Sequence, residues 1–324
     1  MGCPVGIGPE IILRFFAAHP AAGDFLPVVL GDPGVLIHTA AALGLPAPVV
    51  SWLPGDEIKA GTIPVRAHSS LAPERLNWGR PDEDTARAMA GYIEEAVRLI
   101  QDKVLSGMVT CPISKAALRL AGYPYPGHTE MLADLTGTGR YLMMMAGDRL
   151  RVTLVTIHEP LRRVPALVTR ESVMECIRIT ARALREDFAI AKPELAVAGL
   201  NPHSGEQGMF GDEELDIIAP AIEACGNEAV VSGPWPPDTV FHRAAAGEFD
   251  AVVAMYHDQG LIPFKMVHFA DGVNVTLGLP IVRTSVDHGT AYDIAGQGRA
   301  DCSSLQAAWA LAARIVANRR NRVH

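Results

Sequence analysis

The sequence predicts an α/β fold with a largely parallel sheet. Short apolar runs alternate with amphipathic segments along the whole chain, the pattern of strands joined by crossover helices. The 324 residues suit about two domains by length. Apolar residues make up 49% and charged residues 20%, which gives a large core and excludes disorder.

Charge narrows the partners. A net charge of −8 offers no electrostatic case for nucleic acid or an anionic membrane, so an anionic substrate needs a local cationic pocket. The cysteines, Cys3, Cys111, Cys176, Cys225 and Cys302, are scattered with no C-x-x-C pair. That excludes a cysteine zinc site and suits a reducing compartment. No signal peptide and no bilayer-length apolar run is present, so a soluble cytoplasmic protein is expected.

Each element has its reason. The opening MGCPVGIGPE is a glycine turn running into a helix at Ile11 to Ala18, with Pro9 and Glu10 at its start. It reads equally as a phosphate loop or a plain tight turn, and it lacks Gly-x-Gly-x-x-Gly. Leu26 to Gly31 is a buried strand, Asp32-Pro33 opens a helix that Gly44 ends, and Ala47 to Trp52 and Thr62 to Ala67 are edge strands. After a Pro/Gly loop, Asp82 to Lys103 is a long amphipathic helix with acidic residues in its first turn. Gly107 to Cys111 is a strand leading through Pro112-Ile113-Ser114-Lys115 into a helix over Ala116 to Ala121. Lys115 there is either an anion ligand or an ordinary surface lysine. The loop Gly122 to Glu130 ends in His128-Thr129-Glu130, where a helix cap and a ligand contact are both open readings.

Tyr141 to Ala146 and Arg151 to Ile157 form a hairpin, and Thr169 caps a helix to Asp187. Strands at Glu194 to Leu200, Ala229 to Ser232 and Ala251 to Met255 alternate with helices after Phe210 and over Asp238 to Ala246. Ser303 to Arg320 is an alanine-rich helix with a basic, solvated end.

Three histidines share one context. His158, His203 and His257 each follow an apolar strand-like run, and parallel strand ends lie along one sheet edge. Three imidazoles suit a divalent transition metal such as zinc. Lys265, Asn274, Arg283, His128 and Thr129 supply donors for phosphate or carboxylate, while Glu159 and Asp258 can orient a histidine or take a proton. Two reactions fit this set: alcohol oxidation with hydride passing to a nicotinamide, and metal-assisted hydrolysis of a phosphate ester.

Several motifs then coincide: GIGPE (Gly6 to Glu10), PISK (Pro112 to Lys115), GHTE (Gly127 to Glu130), NPHSGE (Asn201 to Glu206), YHDQG (Tyr256 to Gly260) and GVNVTLGLPIVRTSVDHGTAYDIAG (Gly272 to Gly296). Together they resemble the 4-hydroxythreonine-4-phosphate dehydrogenase (PdxA) family, essentially end to end. The resemblance implies NAD-dependent oxidation (NADP as an alternative) and decarboxylation of a phosphorylated hydroxy acid, 4-(phosphooxy)-L-threonine first. It implies a fold like isocitrate and isopropylmalate dehydrogenases, two α/β/α domains with a cleft between them. Residues 1–125 with 271–324 would form the first domain, and 126–270 the second, carrying the metal ligands and dimer contacts.

A homodimer with its active site at the interface is also implied. His158, His203 and His257 look like the metal ligands, His257 coming from the partner subunit, with zinc first and magnesium or cobalt as alternatives. His128, Thr129, Lys265, Asn274 and Arg283 look like substrate contacts. Asp258 and Lys115 are added as catalytic residues for proton handling and polar support, and no NAD contact is assigned.

Two departures stand out. The family's opening motif, GDPxGIGPE, carries an Asp where this chain has Cys3, and a strand precedes that motif in the family whereas this sequence starts at Met1. GMFGDEE (Gly208 to Glu214) and DTVFHRA (Asp238 to Ala244) resemble a branch acting on D-threonate or D-erythronate 4-phosphate. GHTE, Asn274 and Arg283 argue against a further branch that oxidises a phosphate-free dihydrodiol.

Overall fold

A computed structural model describes residues 1–18, 24–227 and 229–322. Helix α1 (Gly8–Ala18) follows the glycine turn, then come β1 (Val29–Gly31), α2 (Pro33–Leu43), β2 (Val49–Ser51), β3 (Ile63–Ala67), α3 (Glu83–Gln101), β4 (Met108–Thr110), α4 (Lys115–Leu120) and α5 (His128–Leu135). The chain continues through β5 (Leu142–Ala146), β6 (Arg151–Leu154), α6 (Val164–Leu167), α7 (Arg170–Glu186) and β7 (Glu194–Ala198). A tight turn at Pro202–Gly208 and a π-helical turn at Glu214–Ile218 lead into α8 (Ala219–Ala224). Last come β8 (Val230–Trp235), α9 (Pro237–Ala245), β9 (Ala251–Ala254), α10 (His257–Val267), β10 (Val273–Leu277), β11 (Arg283–Val286) and α11 (Ser303–Asn321).

The fold is mixed α/β, and it divides into two compact units: Met1–Gly139 with Leu279–Ala313, and Arg140–Gly278 with Arg314–His324. In the first unit, β1, β3 and β2 form a parallel sheet, pairing Val29 with Val65 and Val49 with Ile63. β3 is therefore its centre and not an edge: Ile63 and Val65 are buried, whereas β2 is mostly exposed. β4 and β11 pair in parallel, Arg283 opposite Met108. The core gathers Ile11, Leu13, Phe15, Leu36, Ile63, Val65 and Val286. Asp82 caps α3 by accepting from Thr85 N at 2.9 Å, and the Thr85 hydroxyl accepts from Asp82 N. Helix α5 belongs here too, with Gln101 Nε2 donating to Leu135 O at 3.3 Å. The division thus falls after residue 139 where the sequence reading placed it after 125.

In the second unit, the strand order is β10-β5-β6-β9-β7-β8. β5 pairs antiparallel with β10 and with β6, the expected hairpin, while β6, β9, β7 and β8 run parallel. Met145, Val152, Leu154, Ala196, Val252, Ala254 and Phe264 form its core. Helix α10 is not foreseen by periodicity, because Gly260 and Pro263 read as breakers. Gly260 instead serves close packing: a Cβ there would lie 2.6 Å from Val152 Cγ1 on β6. Asp187, buried at the end of α7, is paired with Arg319 of α11 at 2.6 Å. Among the described residues no helix is long and apolar enough to cross a membrane.

Candidate active site

The second unit presents the imidazoles. β9 lies between β6 and β7, all three parallel, so His158, His257 and His203 follow the same ends of three neighbouring strands. His158 and His257 come together, ring centroids 5.6 Å apart. His203 stands instead beside Phe210, at 6.3 Å, and no group of three metal-ligating side chains forms among the described residues. His257 opens α10, and its Nδ1 meets Asp258 Oδ1 at 2.7 Å. A carboxylate on Nδ1 leaves Nε2 as the ring's other nitrogen for a ligand, the pairing that metal-binding histidines use. The donor set, imidazoles backed by a carboxylate, fits zinc or cobalt better than the hard, oxygen-seeking magnesium. Asp258, expected as a catalytic residue, makes this contact from an exposed position.

His203 sits in an unusual backbone. His203, Ser204, Gly205, Glu206 and Gln207 have φ of 53°, 54°, 77°, 44° and 57°, a left-handed turn. L residues there are disfavoured by ~1–2 kcal/mol each, and such strain concentrates at functional sites. Gln259 clips two strand ends together. Its Oε1 accepts from Met255 N and its Nε2 donates to Gly199 O, both at 2.7 Å. Lys265 is half-buried on α10 and Asn274 half-buried on β10.

The first unit holds a buried cation, Arg283, close enough to the His128 imidazole to act on its charge. Arg283, 3% exposed, donates through Nε and Nη2 to Thr110 Oγ1 at 3.2 and 2.8 Å. Burial lowers its pKa to about 10, opposed by the nearby Glu130 carboxylate, and it stays cationic at neutral pH. Desolvation, and next the Arg283 charge, hold the His128 imidazole well below its usual pKa. His128 is therefore neutral at pH 7 and can donate one hydrogen bond. It begins α5, with Thr129 in the same first turn, where backbone N–H groups favour an anion. Lys115 is exposed at the start of α4, a helix capped by Ser114. Cys3 is buried, accepts from the Tyr292 hydroxyl at 3.4 Å and has its thiol pKa raised by burial, so it remains a neutral thiol.

Three contributors escape the sequence reading. Thr110 carries no signal beyond its place at a strand end. Gln259 and Glu214 lie inside the quoted runs YHDQG and GMFGDEE, yet their buried hydrogen bonds are set by tertiary contacts alone.

Fold and site define an α/β protein with imidazoles at parallel strand ends in one unit and a buried guanidinium beside a neutral imidazole in the other. The family model described as "Pyridoxal phosphate biosynthetic protein PdxA" matches residues 24–312. The chain belongs to that family. It is 56% identical to a 4-hydroxythreonine-4-phosphate dehydrogenase of Desulfosudis oleivorans, over 95% of this chain and 92% of that protein. It is 51% identical to one of Desulforapulum autotrophicum, over 99% and 97% of the two chains. A solved 4-hydroxythreonine-4-phosphate dehydrogenase from Klebsiella pneumoniae superposes with TM-score 0.88 at 40% identity, covering 98% of this chain and 96% of that one.

Proposed function

We propose that the protein oxidises 4-(phosphooxy)-L-threonine with NAD and releases carbon dioxide, giving 3-amino-2-oxopropyl phosphate for pyridoxal phosphate synthesis. The observation that carries this reading is 56% identity, sustained over 95% of the chain, to a protein of that one activity by name. The sugar-acid phosphates and phosphate-ester hydrolysis are not favoured, since the curated relatives share one dehydrogenase name.

The chain's own residues divide the work. His158 and His203, with His257 of the partner subunit, would hold a divalent metal, zinc first, and Asp258 would steady His257 through its Nδ1. When bound, the metal supplies Lewis-acid polarisation at the substrate hydroxyl and NAD, or NADP, supplies the two-electron acceptor. Arg283, rigid on Thr110, and neutral His128 with Thr129 anchor the phosphate. Lys265 and Asn274 bind the remaining polar groups of the substrate. Lys115 is assigned to proton handling and polar support.

A homodimer in the cytoplasm completes the reading, with the active site at the subunit interface. Ile262, Met266 and Phe269 follow one stripe of α10 and its end, 61%, 82% and 83% exposed. Such a stripe, starting from the helix that His257 opens, suits burial against a second copy.

The decisive assay mixes the purified protein, 4-(phosphooxy)-L-threonine and NAD⁺, and follows NADH absorbance. Turnover that chelator abolishes and zinc restores is expected, and His203→Ala should remove it without unfolding the protein. Phosphate release without NAD⁺, or full activity in His203→Ala, would overturn the assignment.

A further inference from the structure

We infer that Glu214 is a positioning residue that holds the left-handed turn presenting His203; this rests on reading His203 as a metal ligand. The turn follows Pro202 and contains four L residues with φ between 44° and 57°, a conformation that their own backbone disfavours. Something outside it must hold it. The Glu214 carboxylate, 2% exposed, lies beneath. Its Oε1 accepts from Leu200 N and Asn201 N, both at 2.7 Å, and its Oε2 accepts from Asn201 Nδ2 at 3.0 Å. The same Nδ2 donates to Glu213 Oε2 at 2.7 Å.

Leu200 and Asn201 are the last residues before Pro202-His203, so the carboxylate fixes the point from which His203 departs. It also fills the inside of the turn. At Gly205, φ 77°, a Cβ would come within 2.6 Å of Glu214 Oε2, so glycine is required by both conformation and space. Among the described residues no Lys or Arg pairs with Glu214, and its buried carboxyl oxygens are held by N–H donors. On the other side, Gln259 ties Gly199 to Met255, two residues before His257. Glu214 thereby places His203 on a strand end already keyed to the strand of His257.

Glu214→Gln tests this. It keeps the size but sets an amide N–H₂ against the Asn201 amide, so one of the tethers must open. Hydrogen exchange at the Leu200 and Asn201 amides should accelerate about tenfold or more, and zinc affinity, measured against a competing chelator, should fall 10–100-fold, the usual effect of losing an outer-shell partner. Excess zinc should restore turnover in Glu214→Gln and not in His203→Ala, whose Leu200 and Asn201 amides should stay as protected as in the unsubstituted protein. Asn201→Ala, which keeps both backbone bonds, should give a smaller change in the same direction and serves if Glu214→Gln does not fold. Unchanged exchange, or unchanged zinc affinity, in the variant overturns the inference. An unsubstituted protein that takes up no zinc overturns the metal reading itself, and the inference with it.

Discussion

Arg283 shows what one hydroxyl offers a buried guanidinium. Thr110 Oγ1 accepts two bonds from a buried guanidinium. A hydrogen bond to a charged group contributes ~1.5–3 kcal/mol. Thr110→Val, which keeps the shape, should therefore raise KM for the phosphorylated substrate about 10–100-fold while kcat changes little; an unaltered KM would show that Thr110 is dispensable. His128 gives a pH prediction. Its folded pKa lies well below 6.5, so the unfolded chain binds its proton first on acidification. Stability from the neutral ring is complete above about pH 6.5 and is lost as pH falls toward the folded value, by at most ~1.4 kcal/mol per pH unit. Urea titrations at pH 7.5 and 5.5 should show the wild-type advantage over His128→Gln shrinking in acid; a constant gap would refute it. The residue types of this site were legible because ligand chemistry restricts them. Thr110 was not, since its role depends on β11 lying beside β4, a pairing across 173 residues.

Among the elements, the strands and long helices were legible from periodicity and caps. Asp82 and Thr169 announce α3 and α7, and apolar runs mark β6, β7 and β9. Helix α10 was hidden because local propensity and tertiary packing conflict there. Gly260 and Pro263 weaken a helix in isolation, yet Gly260 is what allows α10 to approach Val152 and Leu154. Gln259 secures its first turn. Gln259→Leu would orphan Met255 N and Gly199 O at ~1–3 kcal/mol each. Its urea midpoint should drop, and zinc affinity should weaken with it; a variant as stable as the parent would remove Gln259 from the account.

For the molecule as a whole, the sequence reading separated two units, with limits that followed from the family resemblance. Contacts place α5 with the first unit and residues 314–322 with the second, where Arg319 pairs with Asp187. Assembly is the property that composition conveys least. Net charge is −8, yet Met266 on the helix that His257 opens and Phe269 just past its end stand exposed. If the proposed homodimer forms through this stripe, Met266→Asp should shift light-scattering mass from dimer to monomer at micromolar concentration and abolish turnover with it. A variant that remains a fully active dimer would place the interface elsewhere.

The mirror-handed segment after Pro202 also constrains what variation the chain can accept. At positions 204, 206 and 207 the barrier is stereochemical, set by φ values of 54°, 44° and 57° and not by any ligand. Random libraries selected only for folding should accumulate glycine, asparagine and aspartate there and shed valine and isoleucine, whose branched Cβ resists that geometry. A valine-rich outcome would mean that the segment adopts ordinary right-handed dihedrals in solution.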